Sequence, residues 1–307
     1  TATTEIYTLS HTTLFRSILA VVGVAALALF AMNTGVDSGV ESQFRDFLAT
    51  HRQGYGTDSE YQYRLGVFAA NLNKIAELNA ANPRATFAIN QFADRTPEEM
   101  AVRMGLVVPA GKRTTGRHVA PRVSNNVDWT SLWDGVKDQG QCGSCWAFSA
   151  TAAFESRMAL TGGNAHVDTL RAEQELVDCD TQSMGCNGGW MDYAFTYLQS
   201  HGFCTEEQYP YHARDETCQE SLCTSQPKDK AFTDIAAGDE DALLKELNNG
   251  PVSVAVDAST WSFYAGGIMD TCGTGLNHGV TLVAEADDSV KIRNSWGGSW
   301  GDRRAHV

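Results

Sequence analysis

The chain has 307 residues, with 23 Lys+Arg against 37 Asp+Glu and a formal net charge of −14. With 43% apolar and 20% charged residues it is globular in composition and long enough to bury one large core or two modest ones, which excludes a disordered or fibrous protein. The acidic balance argues against nucleic acid as a partner, because phosphate binding needs a basic patch, and eight cysteines point to an oxidising compartment.

The first apolar block is residues 17–32, SILAVVGVAALALFAM, sixteen positions without a charge. Its length suits the apolar core of an export signal and falls short of the roughly 17–25 residues of a spanning helix. Residues 1–35 therefore read as a signal peptide or, if left uncleaved, a signal anchor; a buried soluble helix is the bland alternative. Membrane attachment is expected only in the anchor case. The expected route is the secretory pathway, ending in a lysosome, a vacuole or the extracellular space.

Residues 40–120 hold no cysteine and carry a net charge of +2, whereas the stretch from Pro121 onward carries −15 and all eight cysteines. Such segments attract one another, and complementarity of this kind steers association more than it tightens it. The junction, residues 109–123 (PAGKRTTGRHVAPRV), has the composition of a linker that proteases reach easily.

Within the basic segment, Glu60, Arg64, Phe68, Asn71, Ile75 and Asn79 recur at steps of three and four. At about 100° per residue they share roughly a 100° arc of one helix face, with Glu60 and Arg64 placed as an i,i+4 ion pair. Two asparagines are odd on a simple core stripe. The pattern E-x3-R-x3-F-x2-N-x3-I-x3-N resembles the propeptide signature of cathepsin L-like zymogens of the papain family. The stretch Ala88-Ile89-Asn90-Gln91-Phe92-Ala93-Asp94 resembles the second propeptide motif, G-x-N-x-F-x-D, with Ala88 where glycine is usual. The resemblance implies an inhibitory propeptide over residues 40–105 and an activation linker over 106–122. It also implies that the propeptide tail crosses the substrate cleft in a non-productive direction.

Gln139-Gly140-Gln141-Cys142-Gly143-Ser144-Cys145-Trp146 carries the most information. Cys145 precedes an apolar stretch, 146–160, that reads as a helix, and a helix N-terminus favours a thiolate. A C-x2-C pair also suits zinc or a redox dithiol. Zinc, however, would need further ligands such as a second C-x2-C, which the sequence lacks, and a redox pair would want a βαβ setting. C-G-[S/A]-C-[W/Y] is the signature around the nucleophile of papain-like enzymes. His278 follows Cys145 by 133 residues and Asn294 follows His278 by 16, opening Asn294-Ser295-Trp296-Gly297; Gly185-Cys186-Asn187-Gly188-Gly189 lies between.

The resemblance implies a cysteine endopeptidase acting on proteins and peptides, in a peptidase domain over residues 123–307. Cys145 attacks the carbonyl, His278 moves the proton and Asn294 orients the imidazole. Gln139 donates to the oxyanion beside the backbone N–H of Cys145, and Trp296 covers the His278–Asn294 hydrogen bond. Asn187, Gly188 and Gly189 offer backbone to an extended substrate. Trp190, Met191, Ala255, Leu276 and Gly279 match positions lining the S2 pocket, which favours a hydrophobic P2 residue. For Ala255 and Leu276, plain core packing is the competing reading. No metal or cofactor is implied, and the chain is expected to act as a monomer with its own propeptide as inhibitor.

The implied fold is α+β, with a helical lobe over about 145–231, a β-barrel-like lobe from about 232 plus a strand near Val127, and a cleft between them, preceded by a small helical prodomain. Strands are read at 252–256 and 280–283. The resemblance pairs Cys142 with Cys186 and Cys179 with Cys218. Cys204 and Cys223 are extra to the minimal pattern and are provisionally paired, an assignment that stays open together with Cys272. After Asp302 the family continues into a further strand and a partner for Cys272, whereas this sequence reads Arg303-Arg304-Ala305-His306-Val307. That departure leaves a catalytically inactive homologue, acting as an inhibitor or binding protein, as the alternative expectation.

Overall fold

The computed structural model describes residues 38–51, 53–112, 126–223, 226–286 and 289–302. The apolar segment 17–32, the junction beyond Lys112 and the terminal residues 303–307 lie outside these. The chain divides into two compact units, one built from 38–74 and 93–95 and the other from 75–92 and 96–302.

In the first unit, helix α1 (Ser38–His51) and the leading part of helix α2 (Asp58–Ala81) enclose an aromatic core. Phe44 contacts the rings of Phe47, Tyr55, Tyr61 and Phe68. The polar members of the α2 face are engaged in turn. Arg64 donates to Glu60 at 2.8 Å and to the Asp94 carbonyl at 3.0 Å. The Asn71 amide donates to the carbonyls of Ala93 and Arg95, each at 2.9 Å. An asparagine here satisfies backbone that burial would otherwise leave unpaired.

In the second unit the end of α2 repeats the device. Asn79 donates to the Phe87 carbonyl at 2.8 Å and accepts from the Phe87 N–H at 2.9 Å. This fixes strand β1 (Ala85–Phe87); the short helix α3 (Pro97–Ala101) follows, capped reciprocally by Thr96 and Glu99. Both asparagines thus have a reason that a core stripe alone would not provide.

The helical part of this unit contains α4 (Cys145–Thr161), α5 (Glu173–Cys179) and α6 (Met191–Ser200). Helix α7 (Glu240–Leu247) precedes strands β2 (Val252–Val256), β3 (Tyr264–Gly267), β4 (His278–Ala286) and β5 (Ser289–Arg293). One antiparallel sheet has the order β2-β4-β5, and β1 pairs antiparallel with β3. Strand β4 is longer than the four residues read from the sequence and begins at His278 itself. Near Val127 there is a single bridge, Asp128 to Ala284, rather than a strand. Two hydrogen bonds hold that segment to β4, and it is too short to extend the ladder.

Helix α4 is apolar on nearly every side because it packs on α5 and α6 in one direction and on β2 and β4 in the other. Ser149 Oγ donates to the Val280 carbonyl at 2.7 Å, and Ser253 Oγ donates to the Ser149 carbonyl at 3.0 Å, tying helix to sheet. Three disulfides, Cys142–Cys186, Cys179–Cys218 and Cys204–Cys223, brace the helical side. Cys272 is free and exposed. No helix among the described residues is long and apolar enough to cross a membrane.

A buried ionic cluster lies beside α4. Lys137 Nζ donates to both oxygens of Glu173 and to the Arg171 carbonyl at 2.8 Å, with Glu155 at 3.5 Å. Burial works against the ammonium, yet Glu173 and Glu155 outweigh it and hold Lys137 above its ordinary pKa. Removing one member leaves its partners desolvated and unpaired, which typically costs about 3–5 kcal/mol. Lys137→Ala should therefore lose about 3–5 kcal/mol in urea unfolding, well above the change at an exposed lysine such as Lys230.

Candidate active site

Each reactive side chain occupies the end of an element. Cys145 is the first residue of α4, fully buried, and its approach is held by the Cys142–Cys186 disulfide and by the Gly143 N–H donating to the Cys186 carbonyl at 2.9 Å. Ser144 gives the helix no side-chain cap; its hydroxyl meets the Tyr211 hydroxyl at 2.6 Å instead. The first-turn amides are thus not satisfied by a capping oxygen from the residue before the nucleophile. His278 opens β4, and the next residue, Gly279, donates its N–H to Cys145 Sγ at 3.4 Å. The α4–β4 packing therefore places the Cys145 thiol against the backbone of Gly279, the residue after His278, from 134 residues away.

His278 Nε2 and Asn294 Oδ1 lie 2.7 Å apart, and Asn294 Oδ1 also accepts from the Ser295 N–H at 2.8 Å. That second donor fixes the amide so that its oxygen faces the ring. The His278 ring lies 5.0 Å from the indole of the fully buried Trp296, which keeps solvent from this hydrogen bond. The Gln139 carboxamide is oriented by Ser295 Oγ, which donates to its Oε1 at 2.7 Å. Its Nε2 donates to the Cys142 carbonyl at 2.8 Å and to the Arg103 carbonyl at 2.9 Å.

The last contact introduces residues that sequence reasoning missed. Residues 104–108, irregular backbone with one bridge at Leu106, lie along the site. Gly189 donates to the Gly105 carbonyl and Val107 to the Gly189 carbonyl, both at 2.9 Å, forming a parallel bridge from Leu106 to Gly189. The stretch assigned to the linker from residue 106 thus begins as cleft-bound backbone. Leu106 packs in one apolar cluster with Cys145, Trp146 and Met191, against which Trp190, Ala255 and Leu276 also rest. Ala255 and Gly279 are cross-strand partners of β2 and β4, so their small size leaves room there. Asn187 ends the turn Gly185–Asn187, and Gly188 follows at φ 115°, a conformation reserved for glycine. The apolar run Leu106-Val107-Val108 between Gly105 and Pro109 was the available signal for this segment.

Electrostatics follow from burial under that segment. Desolvation pushes the Cys145 thiol up to about 11, against the opposing N–H groups of Gly279 and Gly105. Desolvation also pushes His278 down to about 4, opposed by Asn294 and by the Arg103 carbonyl. At neutral pH the covered site therefore holds a neutral thiol and a neutral imidazole. Among the described residues, Glu175, Cys204 and Cys223 have metal-like spacing, but the two cysteines form a disulfide and have no thiolate to give.

Two measurements follow. At pH 7.5 iodoacetamide should label exposed Cys272 of the intact chain at least about tenfold faster than Cys145, read by peptide mass mapping. A Cβ on Gly105 would lie 1.9 Å from the Gly143 carbonyl oxygen, and both are backbone sites with nowhere to move. Gly105→Ala should lift the segment and raise Cys145 labelling by about tenfold or more, since such overpacking costs about 1–3 kcal/mol.

Comparison with known proteins agrees with this geometry. Residues 123–304 match the papain family cysteine protease model, and residues 44–100 match the cathepsin propeptide inhibitor domain (I29). The chain is 40% identical to Cathepsin L 2 of Paramecium tetraurelia over 263 residues, covering 82% of each chain. It is 37% identical over 310 residues to the senescence-specific cysteine protease SAG39 of Oryza sativa subsp. japonica, covering 94% of this chain and 90% of that one. The structure of digestive procathepsin L 3 from the Tenebrio molitor larval midgut superposes with a TM-score of 0.74 at 34% identity, covering 88% of this chain and 93% of that one. The chain belongs to the papain family of cysteine proteases, has the papain-like α+β fold and carries a cathepsin-type propeptide inhibitor domain ahead of its peptidase domain.

Proposed function

We propose that this protein is an endopeptidase that cuts peptide bonds through Cys145, His278 and Asn294, is released from its own propeptide by acid, and favours an apolar P2 residue. The observation that carries the proposal is the cleft-bound segment, which already offers the site a peptide carbonyl on Gln139, backbone on Gly189 and an apolar side chain, Leu106, beside Met191. A substrate would use the same donors, with its chain reversed so that a carbonyl carbon faces Sγ.

Once the segment leaves, water and the α4 N-terminus favour transfer of the thiol proton to His278. Sγ then bonds to the carbonyl carbon, and the resulting oxyanion sits between Gln139 Nε2 and the Cys145 N–H. His278 gives its proton to the leaving nitrogen as the C–N bond breaks. Water attacks the thioester with His278 accepting its proton; the C–S bond breaks, Sγ is restored as thiolate and the acid product leaves. Asn294 keeps the ring aligned through both steps.

Acid release has an electrostatic basis in bases of the propeptide segment paired with acids of the peptidase domain. Arg84 meets Asp270 at 3.1 Å, Arg103 meets Asp138 at 2.8 Å and Lys112 meets Asp192 at 2.6 Å. Such pairs hold the two segments together only while both partners are charged, so their loss would weaken docking. The catalytic pair contributes nothing to this dependence. One proton rests on the thiol in the covered form and one on the imidazole in the active form, so the proton count is unchanged. Residues 1–35 would direct export, and the three disulfides suit the oxidising secretory route to a lysosome, vacuole or extracellular space.

The test is incubation of the purified proform and its Cys145→Ala variant at pH 4.5 and pH 7.5, following intact mass and cleavage of a peptide with Leu at P2. Trimming of the wild type alone between Arg113 and Val123, at least about tenfold faster at pH 4.5, with turnover of the peptide, is expected. Equal processing at both pH values would overturn the acid account; no processing and no turnover would overturn the endopeptidase.

A further inference from the structure

The two oxyanion donors, the Gln139 carboxamide and the Cys145 N–H, come from opposite ends of one loop, residues 139–145. Ser295 holds Gln139 twice, accepting its backbone N–H at 2.9 Å and donating to its Oε1 at 2.7 Å. A third group holds its backbone carbonyl, the Tyr211 hydroxyl at 2.8 Å. The same hydroxyl lies 2.6 Å from the Oγ of Ser144, the residue before the nucleophile. A carbonyl only accepts, so the phenolic proton goes to Gln139 and Ser144 donates to the phenol oxygen. One oxygen therefore spans the loop from residue 139 to residue 144. Tyr211 is itself fixed on the helical side. Its ring meets Phe148 of α4 edge-on at 4.9 Å and 89°. Its N–H donates to Glu206 Oε1 at 3.0 Å, and the N–H of His212 donates to Oε1 of Gln174 in α5 at 2.8 Å. Burial holds the Tyr211 hydroxyl above its ordinary pKa, so it remains a donor wherever the site works.

We infer that Tyr211 is a positioning residue for the oxyanion site, its hydroxyl setting the spacing between the Gln139 carboxamide and the Cys145 N–H by bracing both ends of the loop. The inference rests on the endopeptidase reading above. The loop needs a brace because it contains Gly140, at φ 61°, and Gly143, and glycine leaves backbone the most freedom. The Cys142–Cys186 bridge restrains its middle, and Ser295 ties Gln139 to the segment that follows β5. Neither refers Gln139 to the helix that carries the nucleophile. Tyr211 does, because its ring packs on α4 while its hydroxyl holds Gln139. Without that hydroxyl the Gln139 peptide can rotate, and the carboxamide on the same Cα moves with it. Misplacing a group by about 1 Å can cost about 10²-fold in rate. The defect falls on the transition state, where the oxyanion exists, and leaves the contacts of bound substrate intact.

The experiment compares activated wild type with Tyr211→Phe, which keeps the ring on Phe148 and removes only the hydroxyl. Active sites are counted with a thiol-directed epoxide, and the substrate is a peptide with Leu at P2. We expect kcat to fall by about tenfold while KM stays within about twofold. The pH profile and rate of iodoacetamide alkylation of Cys145 should be unchanged, because displacement of iodide builds no oxyanion, whereas a general loss of structure would lower the rate. In a Gln139→Ala background the same substitution should change kcat by less than about twofold, since its effect passes through Gln139. An unchanged kcat, a fall matched by alkylation, or a fall that persists in full in Gln139→Ala overturns the inference. If the wild type cleaves no peptide, the endopeptidase reading fails, and the brace is read by NMR on the intact chain carrying isotope-labelled glutamine. The Gln139 side-chain amide, assigned by its loss in Gln139→Ala, should then exchange hydrogen at least about tenfold faster in Tyr211→Phe, and an equal rate overturns the brace.

Discussion

Burying helix α4 against strand β4 sets the position of every group at the site. The helix begins with Cys145 and the strand with His278, so one apolar contact brings the two element ends together. Ser149 and Ser253 hydrogen-bond the helix backbone to the sheet across this contact, and the Cys142–Cys186 bridge restrains the turn that feeds the helix. Strand β5 then brings Asn294 beside His278, and Trp296 seals the pair from water. The buried charges around Lys137 lie against the same helix and add constraint rather than net stability, since ion pairs out of water repay little beyond their own desolvation.

The propeptide segment works through the same physics as the site it covers. Its backbone hydrogen-bonds Gly189 in a parallel bridge at Leu106. Burial at the covered site raises the Cys145 thiol and lowers the His278 imidazole, both through desolvation. Charge adds a second layer. Within the second unit, Arg84 pairs with Asp270, Arg103 with Asp138, and Lys112 with Asp192 and Asp234.

Much of this was legible because helices and catalytic sets impose fixed spacing. The face from Glu60 to Asn79 and the order Cys145, His278, Asn294 could be read along the chain, since 3.6-residue periodicity and residue chemistry are local properties. The purpose of Asn71 and Asn79 could not. Their partners are carbonyls some eight to twenty-four residues away, which only folding brings near. Residues 106–108 read as the start of a linker because nothing in three apolar residues names the groove that receives them.

The sequence by itself determined the Cys145, His278 and Asn294 spacing, the helix that begins at Cys145 and the charge imbalance between the two segments. Only the tertiary structure decided that Gly105 would lie on Gly143, that the Arg103 carbonyl would occupy the Gln139 amide, and that Asp192 and Asp234 would close around Lys112. The reason is range. Periodicity and spacing encode contacts within a few turns of the chain, whereas these contacts join segments 36 to 122 residues apart and exist only once the buried core has fixed their distance.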